Sequence, residues 1–77
     1  MYRLINLKGE YVCIDDTGEI KECDQYKLYK TLFDVKADIM NAIIYNKSIF
    51  QIHNCLVENV ITGEQASVDK VILGFVI

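Results

Sequence analysis

Apolar and polar residues alternate along this chain with two different periods. Near the start the period is two, the signature of a half-buried strand. Tyr2 to Leu7 reads as a first strand, turned by Lys8-Gly9. Glu10 to Asp15 reads as a second, with Val12 and Ile14 on one face and Tyr11 and Cys13 on the other. Asp16-Thr17-Gly18 then closes a hairpin. A three-residue loop ends in a left-handed residue, and glycine takes that conformation most easily. Glu19 to Asp24 is the third strand, and residues 25–30 follow neither period.

From Thr31 the period lengthens to that of a helix. Thr31 is placed to cap it and Asp34 to answer the cap. Leu32, Val35, Ile39 and Ile43, together with Phe33, Ala37, Met40 and Ile44, form one wide apolar stripe. Asp34, Asp38, Asn41 and Tyr45 fall opposite, and the helix is expected to end near Asn46. A fourth strand is expected from Ile49 to Ile61, with Phe50, Ile52, Leu56 and Val60 on one face and His53 and Cys55 on the other. Thr62-Gly63-Glu64 makes a second hairpin turn. It repeats the Thr-Gly-Glu of 17–19 without matching flanks, so shared turn chemistry accounts for it better than duplication. A fifth strand covers Ala66 to Ile77. Its end is apolar on both faces, as in a central strand or a strand awaiting a partner. The pattern predicts a single α+β domain over residues 1–77: a mostly antiparallel sheet of about five strands with one helix packed on a face.

Length changes the picture by asking what holds such a domain together. Near 70–80 residues a core alone rarely supplies more than about 3–5 kcal/mol, so a metal, a disulfide or a partner subunit is expected as a staple. With 52% hydrophobic residues and a net charge of −3, the chain has the composition of a folded protein. Eight basic residues, seven of them Lys, against eleven acidic ones argue against direct binding of nucleic acid. The first residues lack the pattern of a signal peptide. The longest apolar run, Val71 to Ile77, is far short of the roughly 20 residues that span a bilayer. A cytoplasmic protein with no membrane contact is the expectation, and its cysteines would then be thiols.

Cys13, Cys23, His53 and Cys55 are all the thiols and the only imidazole of the chain. They make a Cys₃His set for structural zinc, with no ligand left over. The ten-residue offset across the first hairpin puts Cys13 and Cys23 on one face, directly or diagonally opposed. His53 and Cys55, two apart on a strand, share a face as well. If the fourth strand packs beside the hairpin, zinc becomes the staple. The usual Cys-x₂-Cys spacing is absent. The plainer reading, which stays open, is that the cysteines are small buried hydrophobes and His53 is simply hydrogen-bonded.

Asp15, Asp16, Glu19, Glu22 and Asp24 crowd the same hairpin, offset only by Lys21. Such a patch suits a basic groove on a protein partner, or is merely a solvated tip. Signs of catalysis are missing. The glycines are scattered rather than grouped into a phosphate loop, no spacing supports a Ser-His-Asp triad using Ser48 or Ser67, and a zinc site with four protein ligands is closed to substrate. A non-enzyme is expected.

Ile, Lys, Asn and Tyr are plentiful, Arg occurs once, and Pro and Trp are absent. This usage fits a low-GC bacterium or its phage. In size, acidity and lack of catalytic residues the chain resembles the small phage-encoded inhibitors of host defence, including anti-CRISPR proteins that act on RNA-guided effector nucleases. The resemblance is of kind, with no shared motif, and assigns no residue. It implies direct binding to the nuclease that obstructs guide or target DNA loading, with the Asp15–Asp24 hairpin as the surface offered. The alternatives are a small nucleic-acid-binding regulator and a homo-oligomeric subunit, a dimer pairing edge to edge through Val71 to Ile77.

Overall fold

Three chain reversals share one piece of local chemistry. At each, an Asn or Asp side chain folds back onto the backbone ahead of it and a glycine with positive φ closes the turn. Asn6 Oδ1 accepts from the N–H groups of Lys8 and Glu10, with Gly9 at φ 82°. Asp15 Oδ1 accepts from Thr17 and Glu19, with Gly18 at φ 81°. Asn59 Oδ1 accepts from Ile61 and Thr62, with Gly63 at φ 78°. In each case the N–H of the Asn or Asp donates to the carbonyl of the glutamate that follows the glycine. The recurring Gly-Glu pairs are therefore hairpin closures.

The computed structural model describes residues 1–45 and 49–77, with Ile49 and Phe50 described by backbone alone. The helix end expected near Asn46 and the inward face assigned to Phe50 lie outside what is described. Strand β1 (Tyr2–Asn6) pairs antiparallel with β4 (Cys55–Asn59), and β4 with β5 (Gln65–Ser67). The sheet order is β1-β4-β5. Strands β2 (Val12–Ile14) and β3 (Ile20–Glu22) form a separate two-stranded sheet. The α+β class and five strands stand among the described residues, but the single five-stranded sheet is corrected to antiparallel sheets of three and two strands. The tight reversal at Gly9 leaves β1 and β2 sharing only the isolated bridge between Ile5 and Tyr11.

Helix α1 (Leu32–Tyr45) starts where expected: Thr31 Oγ1 accepts from the N–H of Asp34. Two further helices, α2 (Ile49–His53) and α3 (Val68–Ile72), replace predicted strand. Ser67 Oγ caps α3 by accepting from the N–H of Lys70, and Gly74 at φ 101° follows its end. Val68, Val71 and Ile72 thus follow a helical spacing, with Val68 and Val71 buried. The apolar run to Ile77 is not a central strand, since Leu73 is 87% and Val76 73% exposed. Among the described residues no helix is long and apolar enough to cross a membrane.

Leu4 and Val57, opposite one another on β1 and β4, are fully buried. They share a core with Val12 and Ile14 of the hairpin, Val35, Ile39 and Ala42 of α1, Ile52 of α2, and Val68 and Val71 of α3. On the other face of the large sheet Arg3 pairs with Glu58, and its guanidinium lies over the rings of Tyr11 and Tyr26. Gly18 brings the hairpin against α1. A Cβ there would stand 2.9 Å from the Asn41 carbonyl oxygen.

Candidate protein-binding surface

The four residues predicted to hold zinc fall in three separate places. Cys13 and Cys23 are joined by a disulfide, with Cα atoms 6.1 Å apart. Cys13 faces Lys21 in the register and Tyr11 bonds to the Cys23 N–H, so the two cysteines are diagonal neighbours on one face, as their spacing requires. They are a bridged pair rather than the free thiols expected. Cys55 lies on the inner side of the fold, in the same core as Val12. Its thiol donates to the Gln51 carbonyl at 3.2 Å, and burial pushes its pKa up. His53 ends α2 and pairs through Nδ1 with Asp69 of α3. A shared face for His53 and Cys55 required a continuous strand, and the helix through His53 breaks that period. Among the described residues no three His, Cys, Asp or Glu side chains gather in a metal-holding group.

The acidic hairpin uses part of its own charge. Asp15 accepts from the Thr17 hydroxyl at 2.6 Å and from two backbone N–H groups. Those bonds, the hydroxyl first, hold its carboxyl below the ordinary carboxylate range. Lys21 Nζ sits 3.7 Å from Asp15 and 3.8 Å from Glu19. Asp16, Glu22 and Asp24 are exposed at the surface.

The surface that sequence reasoning missed is on α1. Its wide stripe divides into two rows. Val35, Ile39 and Ala42 are buried, with Leu32 and Ile43 packed partly against them. Phe33, Ala37, Met40 and Ile44 are exposed, Phe33 to 79% and Ile44 to 65%. At 3.6 residues per turn this second row lies roughly opposite the buried one. The polar face of Asp34, Asp38, Asn41 and Tyr45 is partly occupied. Asp38 accepts from the Tyr29 hydroxyl at 2.7 Å and from Lys27, and the Asn41–Tyr45 edge abuts the Gly18 turn. These contacts and the core on the neighbouring face leave Phe33, Ala37, Met40 and Ile44 facing outward.

An apolar groove continues from this row toward α3, lined by Met40, Ile43, Ile72 and Leu73, with His53 and Asp69 at its edge. The width of the stripe was the available signal. An apolar arc much broader than about 100° exceeds what one core contact needs, and the excess points to a second contact. Among known protein families, curated proteins and solved structures, none matches this chain.

Proposed function

We propose that this protein works by protein–protein contact, as a small inhibitor that occupies a surface of a larger protein and catalyses no reaction. One observation carries the reading: the outward row of α1, with Phe33 79% and Ile44 65% exposed, is apolar surface left uncovered among the described residues. Contiguous apolar patches of this kind mark interaction sites on small domains. Large aromatic and aliphatic side chains are suitable anchors there.

The resemblance to phage-encoded anti-CRISPR inhibitors suggests the partner class, an RNA-guided effector nuclease whose guide or target DNA loading is blocked. Asp16, Glu22 and Asp24 would orient docking against a basic channel, because complementary charge speeds and steers encounter. Zinc has no part in this reading.

The test is a cleavage assay in which the protein is added to the nuclease either before guide RNA or, in a second arm, after guide loading and before target DNA. Cleavage is expected to fall, and the double substitution Phe33→Glu and Ile44→Glu to restore it. Undiminished cleavage with the parent protein would remove the nuclease as partner. Inhibition that survives the double substitution would remove α1 as the contact.

A further inference from the structure

We infer that the apolar row of α1 is covered by the same row of a second copy, giving a two-fold antiparallel helix pair. The inference rests on the reading above that this face is a protein contact: the second copy covers it in the free protein, and the larger partner takes that copy's place on binding.

The spacing is the first argument. Phe33, Ala37, Met40 and Ile44 stand at intervals of four, three and four, the seam spacing of two helices packed nearly side by side. The row spans three turns of a 14-residue helix. A partner for such a seam is another straight helix with the same repeat, and a second copy supplies it.

Shape sets the direction. With the two-fold axis between Ala37 and Met40, Phe33 meets Ile44 of the second copy and Ala37 meets Met40. Each layer then joins a larger side chain to a smaller one. A parallel pair would set Ala37 on Ala37 and leave a hole beside two stacked phenylalanines, a poorer filling. Antiparallel helices also oppose their dipoles favourably. Beside the seam, Asp34 comes near Asn41 of the second copy and Lys36 near Ile43, and neither pair sets like charges together.

Area is the third argument. Phe33, Met40, Ile44 and Leu73 are 79, 41, 65 and 87% exposed. Together they present on the order of 500 Å² of side-chain surface, at roughly 200 Å² for a full aromatic. That is about a tenth of the 4955 Å² surface of the chain. Two such patches with their rim of Lys36, Asn41 and Tyr45 approach the roughly 1,200–2,000 Å² of a specific interface.

The experiment is sedimentation equilibrium on the intact protein over a wide range of concentration. Twice the 8.9 kDa chain mass is expected. Met40→Glu and Phe33→Glu should each halve it while leaving the circular dichroism spectrum unchanged, because both side chains are exposed. Leu7→Glu and Ile61→Glu, at apolar residues 69% and 78% exposed elsewhere, should keep the doubled mass. For direction, chains carrying Ala37→Cys are mixed with chains carrying Met40→Cys and oxidised. Cross-links between the two variants are expected, and self-cross-linking confined to Ala37→Cys would overturn the antiparallel pair.

A single-chain mass at every concentration overturns the inference. If Phe33→Glu with Ile44→Glu then still abolishes nuclease inhibition, the contact reading survives without the dimer. A doubled mass that resists both Met40→Glu and Phe33→Glu overturns this face as the dimer contact.

Discussion

The β2–β3 hairpin and the outward row of α1 stand out on the surface for opposite reasons. The hairpin carries five acidic residues between Asp15 and Asp24, but two of them are engaged inside it. Asp15 is tied to Thr17 and the turn backbone, and Lys21 lies close to both Asp15 and Glu19. The α1 row carries no charge, and among the described residues nothing covers Phe33 or Ile44. A charge that meets its partner locally describes how a turn is built. An apolar side chain left in water describes what is still to be bound. The denser cluster of charges is thus the weaker evidence of a binding site.

The strongest way to break this comparison is to truncate one residue from each row of the same helix. Ile39→Ala, in the fully buried row, is expected to cost about 2–5 kcal/mol through lost burial and a residual cavity. Ile44→Ala, in the exposed row, is expected to change the stability of the monomeric fold by no more than about 0.5 kcal/mol. Urea unfolding of a chain kept monomeric by Met40→Glu measures both. Similar losses at the two positions would mean that the rows are not distinct.

A smaller effect sharpens the hairpin side. Replacing Cys13 and Cys23 by Ser is expected to lower stability by about 2.5–3 kcal/mol under oxidising conditions, from the loop entropy returned to the unfolded chain. Added reductant should reproduce that loss in the parent and leave the double variant unchanged. Zinc added to the reduced parent is expected to leave its melting temperature where it was, because Cys55 lies in the core and His53 is held at α3. A stoichiometric rise would restore the Cys₃His set.

The smallest effect is on pH. The Gln65 amide, with Arg3, holds Glu58 below the ordinary carboxylate range, and the Thr17 hydroxyl does the same for Asp15. Both folded values lie under the unfolded ones. The stability they contribute is therefore fully present above about pH 4–5 and is lost as pH falls through the folded values. Thermal melts across the acid range should show this decline, and Glu58→Gln should flatten part of it. An unchanged acid slope in that variant would mean that Glu58 contributes nothing to it.

Local chemistry made much of the fold legible. The turns at Gly18 and Gly63, the cap at Thr31, the start of α1 and the shared face of Cys13 and Cys23 all follow from residues within a few positions of one another. Side-chain-to-backbone bonds and the φ preference of glycine act over that range and hold in any surroundings. The candidate site was half legible. The apolar row of α1 was visible as a pattern, but its direction was not.

The sequence by itself determined where the chain turns, that a long helix follows Thr31, and that the two hairpin sulfurs lie together. Only the tertiary structure decided that the strands divide into two sheets and that 49–53 and 68–72 are helical. It also decided that Cys55 faces inward while the hairpin sulfurs do not, and that Val35, Ile39 and Ala42 rather than Phe33, Met40 and Ile44 meet the core. The physical reason is range. A five-residue apolar segment fits either a strand or a helix, and a helix with two apolar rows can bury either one. Contacts from segments tens of residues away make those choices.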